Sequence, residues 1–286
     1  MTLSGFHPEK GGFLSRPVRA VERALDILLC FNHDELALSL TQIAERVGMN
    51  KSTVHRLLGT LGNKRFIHRS KTTGLYHLSF RFVEMASLVL QDVDLQHWAQ
   101  PYLQRLSAEC GETVDLAVLD GAHVIYLQVV ESPQRVKLAV AVGQRLPAFC
   151  TASGKAFLAY LPDDQVSKIL SAGLIRYTEY TPVSIAEVYE DLRITRERGF
   201  AIAEQEYERD IHAVAAPILD ANAHPIAAIA IAGPSYRLPR ERLLMLGQSV
   251  RTTTDVIARE MGLATLSAFV STTVAAGNAG QSEQRG

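Results

Sequence analysis

Residues 40–61 read LTQIAERVGMNKSTVHRLLGTL, a helical apolar pattern that stops at Gly48 and restarts three residues later. Ile43, Ala44 and Val47 mark one face of a short helix. Val54, Leu57, Leu58 and Leu61 mark the inner face of a second. Gly48 ends the first because glycine reaches positive φ without steric cost. Asn50 or Ser52 caps the second. Counted from Leu40 as one, Ala falls at five, Gly at nine and Val at fifteen. This is the spacing of a helix-turn-helix, with a small residue where the two helices approach. The second helix turns Lys51, Ser52, Thr53, His55, Arg56 and Thr60 outward, and Thr41 joins them from the first. All are donors or cations, suited to phosphates and base edges in a major groove.

The flanking segments support that reading. Residues 18–31 repeat apolar side chains at Val18, Val21, Leu25, Leu28 and Leu29, the spacing of a helix. Residues 66–79 form two short strand-like runs around Lys71-Thr72-Thr73-Gly74, a wing with Arg69, Lys71, Thr72 and Thr73 near its tip. These tip residues suit backbone phosphates or an adjacent minor groove. Residues 16–78 carry ten Lys/Arg against five Asp/Glu, a local charge of +5, while the rest of the chain sums to -6. A basic piece joined to an acidic one points to a polyanion at one end. A solvated helical hairpin is the plainer alternative, but spacing, wing and charge agree on DNA. Arg56 and Thr53 are the best candidates for base contact. Lys64 and Arg65 fit ordinary solvated charges equally well, and His55 has no second metal ligand at helical spacing.

After Gly111 the texture changes. TVDLAVLDGAHVIYLQVVE (113–131) is two β-rich runs around Asp120-Gly121, a hairpin signal. Another strand and a glycine turn are expected in 137–149, and helices from 152, from Pro162 and over 186–199, the last capped by Gly199. Three further strands follow, then a long closing helix at 240–262. The three cysteines, Cys30, Cys110 and Cys150, lie far apart, which fits a reducing compartment rather than a disulfide framework. No N-terminal signal is expected, and 214–234 is too interrupted to span a bilayer. A cytoplasmic location is expected, with no membrane partner, no metal and no cofactor.

The segments RALDILLCF (23–31), LTQIAERVGMNKSTVHRLLGTL, TTGLYHLS (72–79), GETVDLAVLDG (111–121), VGQRLPAFCTASGKAFLAYL (142–161), RERGFAIAEQE (196–206), VAAPILD (214–220) and AAIAIAGP (227–234) resemble the IclR family of bacterial transcriptional regulators. The likeness runs over residues 17–262. It implies an α+β architecture: an N-terminal winged helix-turn-helix (16–79), a linker and dimerisation helix (80–96) and a C-terminal GAF-like α/β effector-binding domain (97–264). A disordered arm (1–15) and tail (265–286) are expected to flank them. The implied partners are double-stranded DNA with a near-palindromic operator, a small organic acid effector, and a second copy in a homodimer or dimer of dimers. The implied function is a one-component regulator, preferably a repressor, of a catabolic operon.

The resemblance also places an effector pocket. Backbone N–H groups at Ala152 and Ser153 are expected to meet an anionic oxygen. The remaining pocket positions fall on Leu138, Leu146, Ala203, Ile211, Ala213, Ala230 and Ala232, with Arg135 a candidate for a carboxylate. Four alanines among them favour a larger, more apolar ligand, such as an aromatic acid; that they merely pack the sheet is an equally weighted alternative. Two positions depart from the family pattern: Arg65 and Asp210 stand where glycine is common. The rival class is a metabolite-binding or catalytic protein whose helix-turn-helix serves protein interaction. Cys150, Ser153 and Lys155 are its only suggestion of a nucleophile, without a GxSxG elbow or phosphate loop.

Overall fold

The computed structural model describes residues 18–32, 35–85 and 95–263. The expected arm, the tail and most of the linker helix lie outside these residues. The chain divides into two units, residues 1–93 and 94–286.

In the first unit, helices α1 (Arg19–Leu29), α2 (Leu40–Arg46) and α3 (Lys51–Asn63) precede strands β1 (Ile67–Arg69) and β2 (Tyr76–Leu78). Their core joins Ile27, Leu38, Ile43, Ala44, Val54, Leu58, Leu61, Ile67 and Tyr76. Helix α2 opens with a reciprocal capping box: Ser39 Oγ accepts from the Gln42 N–H, and Gln42 Oε1 accepts from the Ser39 N–H. Gly48 makes the turn at φ 62°. Of the two expected caps for α3, Asn50 is the one used: its Oδ1 accepts from the Thr53 N–H and the Ser52 hydroxyl, both at 2.9 Å.

Two details go beyond the sequence reading. The stripe Val18, Val21, Leu25 and Leu29 that locates α1 is exposed; Ile27 is the fully buried residue of that helix. Periodicity places a helix, but α1 carries apolar residues on more than one face, and packing selects among them. Leu38, just before α2, also supplies a strand-like pairing. Leu38 exchanges both backbone hydrogen bonds with Tyr76, which ties the wing to the chain entering α2.

The second unit is a six-stranded antiparallel sheet in the order β5-β4-β3-β8-β7-β6. The elements are α4 (Leu95–Cys110), β3 (Thr113–Asp120), β4 (His123–Val130), β5 (Arg145–Pro147), α5 (Ala152–Leu158), α6 (Asp163–Leu170), α7 (Ile185–Arg198), β6 (Ala201–Glu204), β7 (Ile211–Leu219), β8 (Pro225–Pro234) and α8 (Arg240–Glu260). The strand expected within 137–149 shrinks to Arg145–Pro147, and 137–141 is irregular. Pro101 sits inside α4 without ending it.

Side chains alternate across the sheet with period two. Val114 and Leu116, Val214 and Ile218, and Ile229 and Ile231 pack with α4 and α8. Ala117, Ala215, Ala228 and Ala230 pack on the other face with α5. The central strands therefore put mostly bulky aliphatics on one face and mostly alanines on the other. Helix α5 approaches closely enough that a Cβ on Gly154 would lie 2.1 Å from the Ala148 carbonyl oxygen, so only glycine fits.

Both departures from the family pattern adopt the backbone that glycine favours, Arg65 at φ 62° and Asp210 at φ 61°. Asp tolerates this region better than most residues, and Arg has no such excuse. The Arg65 carbonyl accepts from the Ser79 hydroxyl, which holds the turn into the wing in place. A left-handed non-glycine residue costs on the order of 1 kcal/mol. Arg65→Gly is expected to raise stability by up to about that amount, read as a higher urea midpoint with unchanged slope.

Candidate functional sites

The first site is the outer face of α3. Lys51, Ser52, His55, Arg56 and Thr60 are exposed, while Thr53 and Thr41 are half-buried. Not all are equally available. The Ser52 hydroxyl donates into the helix cap, and the Thr60 hydroxyl donates to the Arg56 carbonyl oxygen. Lys51, His55 and Arg56 thus form the cationic and hydrogen-bonding edge of the helix, with no ion pair to any of them among the described residues. On the wing, Lys71, Thr72 and Thr73 are exposed. Arg69 is committed locally: its Nε donates to the Gly74 carbonyl oxygen at 2.8 Å and its guanidinium lies 5.5 Å from the Tyr76 ring centroid. Arg46, counted in the basic surplus, pairs with Glu35 and donates to the Cys30 carbonyl oxygen, so it braces α1 and α2.

The second site is a cavity, partly open to solvent, on the alanine face of the sheet. It gathers residues far apart in sequence. Leu138, Leu146, Ala152, Ser153, Ala203, Ile211, Ala213, Ala230 and Ala232 all line it. Arg135 does not, and no lysine or arginine is in the lining. The expected ion pair between Arg135 and an effector carboxylate is therefore absent from the wall, because the 133–141 segment brings Leu138, Ala139 and Val140 to the cavity instead. A carboxylate there would meet neutral donors such as the Ser153, Tyr126 and Tyr207 hydroxyls.

Sequence reasoning missed the cavity's carboxyl groups. Asp115 projects from β3 on the same face as Ala117 and opposite Ala230 in the register. It is 1% exposed, and burial pushes its carboxyl up to about 8, against the opposing pull of the Ser153 hydroxyl. Strand alternation puts it on the face opposite Val114 and Leu116, but does not say that this face is covered. Glu206 follows β6 and also lines the cavity. Its burial raises its pKa, with Lys155 pulling it down.

Lys155, fully buried on α5, donates to Asp191 Oδ2 at 2.5 Å, Glu206 Oε1 at 2.5 Å and the Ile202 carbonyl oxygen at 2.6 Å. Burial opposes its charge, but Glu206 and Asp191 outweigh it and the net shift is upward. All three ammonium hydrogens are thereby used. Beside it, burial pushes the Cys150 thiol up to about 12, with Glu206 adding to it, which keeps the sulfur protonated and a poor nucleophile. Among the described residues no group of three or more metal-ligating side chains gathers, and no helix is long and apolar enough to cross a membrane.

Comparison with known proteins places both sites in one context. Residues 20–71 match the IclR helix-turn-helix domain, and residues 87–259 match the C-terminal domain of the bacterial transcriptional regulator IclR. The transcriptional repressor IclR of Escherichia coli K12 is 34% identical over 236 residues, 82% of this chain and 86% of its own. The regulator XynR of the same strain is 30% identical over 86% of this chain and 98% of its own. The solved IclR transcriptional regulator from Alicyclobacillus acidocaldarius superposes with a TM-score of 0.74 at 27% identity, covering 85% of this chain and 99% of that one.

Two outcomes follow from the buried charges. Lys155→Met leaves the largely buried Glu206 without its cation and is expected to cost about 3–5 kcal/mol, visible as a collapse of the urea midpoint. Asp115 has a folded pKa near 8, above the ordinary carboxylate value of 3.8. Its contribution to stability is full below about pH 4 and is lost as pH rises through 8. Asp115→Asn removes that dependence. Denaturation at pH 5, 7 and 9 is expected to show the variant gaining on the parent chain at each step upward.

Proposed function

The chain belongs to the IclR family of transcriptional regulators, and from that premise we propose a one-component repressor that reads an operator with α3 and its wing and answers to a small organic effector in the C-terminal cavity. The observation that carries the proposal is the unpaired edge of Lys51, His55 and Arg56 on a capped recognition helix, in a segment of charge +5. Such a helix inserts in the major groove, where Arg56 suits guanine O6 and N7 and Lys51 suits phosphate. Thr41, Ser52, Thr53, Lys71 and Thr72 complete the proposed DNA contact, with Arg69 holding the wing's shape. A homodimer or dimer of dimers on a near-palindromic site follows from the two-fold logic of such operators.

The cavity supports the effector half of the reading. Its alanine lining leaves room for an aromatic or similarly extended body, and an organic acid remains the proposed class, its carboxylate held by neutral donors. The operon is proposed to be one that consumes this effector. Ligand binding then changes operator affinity by its differential affinity for the DNA-competent state.

Fluorescence anisotropy of the purified chain on DNA upstream of its own gene, at two salt concentrations, tests the DNA reading. Selective binding that weakens with salt is expected. Arg56→Ala is expected to lose roughly 10- to 100-fold in affinity for the selected site. Indifference to that substitution would remove α3 as the reading element.

A further inference from the structure

The C-terminal end of α8 delivers the chain to a groove on the far side of the sheet from the effector cavity. The groove is lined by His97, Trp98, Pro101, Tyr102 and Arg105 of α4 and by Glu260 of α8. Leu95, Ala99, Leu103 and Leu106 take the face of α4 that packs on the sheet, which turns Trp98, Pro101 and Arg105 outward. Trp98 is 38% exposed, so an indole and a proline ring share one open wall with Tyr102. Scattered singly such residues are ordinary, but gathered in a groove they suit an apolar occupant. Helix α8 ends beside it in a Schellman turn. Gly262 sits at φ 68°, its N–H donates to the Arg259 carbonyl oxygen at 3.0 Å, and the Leu263 N–H donates to the Ala258 carbonyl oxygen at 2.8 Å. That reversal packs Leu263 against the cluster that holds the inner face of α4. The chain therefore leaves the described residues three positions after a groove residue, on the side of α8 that α4 occupies.

Twenty-three residues follow Leu263. The first nineteen, 264–282, carry no charge, and Leu266, Phe269, Val270 and Val274 fall within the first eleven. Phe269 is six positions beyond Leu263, a span of about 20 Å of extended chain at most. We propose that this C-terminal segment is the occupant of the groove, with Leu266 and Phe269 set against Trp98 and Pro101. Burying two large apolar side chains and the exposed indole drives the docking. An uncharged segment suits a groove whose only charges, Arg105 and Glu260, are of opposite sign. Tethering at the groove's edge gives this segment an effective concentration that an untethered partner lacks. Trp98 stands in the first turn of α4, so the docked segment clasps the end of the C-terminal unit to its beginning. The disorder expected of 265–286 then falls to the small and polar residues after Val274.

Trp98 is the chain's single tryptophan, so its fluorescence reads the groove directly. Emission and acrylamide quenching are compared between the full-length chain and its Leu266→Ser/Phe269→Ser variant, each over a range of protein concentrations. The double substitution is expected to shift emission to the red and raise the quenching constant at every concentration. Phe269→Leu, which keeps an apolar side chain, is expected to hold the parent spectrum. Should the double variant not fold, Phe269→Ser alone is read against the parent in the same way. Identical emission and quenching in parent and serine variant overturn the proposal. So does a red shift that appears on diluting the parent and is indifferent to Leu266 and Phe269, since a second copy of the chain would then hold the groove.

Discussion

One ammonium group, Lys155 Nζ, organises the C-terminal unit. It reaches from α5 to Asp191 on α7, to the backbone at Ile202 on β6 and to Glu206 beyond it. A lone charge there would be prohibitive, and two carboxylates with a carbonyl make it tolerable. Because the three partners come from three segments, their positions are fixed together. Gly154, one residue earlier, lets α5 sit low enough on the Ala148 turn for that reach. The cavity exists in the space that this arrangement leaves over a face of alanines. Its acidic character is a by-product of the same arrangement, since the cation is turned away from it and spent.

The first unit rests on different physics. Among its described residues no buried charge holds it; a single apolar core and well-made helix ends do. Ser39 with Gln42, and Asn50 with Thr53, satisfy N–H groups that would otherwise be orphaned at the ends where the two helices meet the turn. The rest of the second helix is thereby free to present side chains outward. Leu38 pairing with Tyr76 links the wing to the entry of α2, so wing and helix pair share one framework.

What was legible in the sequence divides along the same line. Local pattern carried the helix-turn-helix, because Ala44, Gly48, Asn50 and the apolar face of α3 lie within twenty residues of one another. The strands of the second unit were legible for the same reason, from alternation and turn residues. The alanine positions of the cavity came from resemblance, and the structure brings all of them to one wall. Arg135 lies outside the lining because which way an irregular segment turns its side chains is not written in its own residues. Asp115 and Glu206 escaped notice, and Lys155 was read only beside Cys150 and Ser153, because its pairing exists only in space: Lys155 and Glu206 are 51 positions apart. The exposed stripe of α1 shows the converse: periodicity located the helix but did not say which face packs.

The alternation of the central strands has a further consequence. Val114, Leu116, Ile229 and Ile231 carry the packing against α4 and α8, while their immediate neighbours Asp115, Ala230 and Ala232 face the cavity. Each strand therefore keeps two ledgers on opposite sides of one backbone. Replacements on the cavity side alter what the protein recognises while leaving the aliphatic side, and with it the fold, untouched. A lineage built on this sheet can change its diet by single steps without passing through an unfolded ancestor.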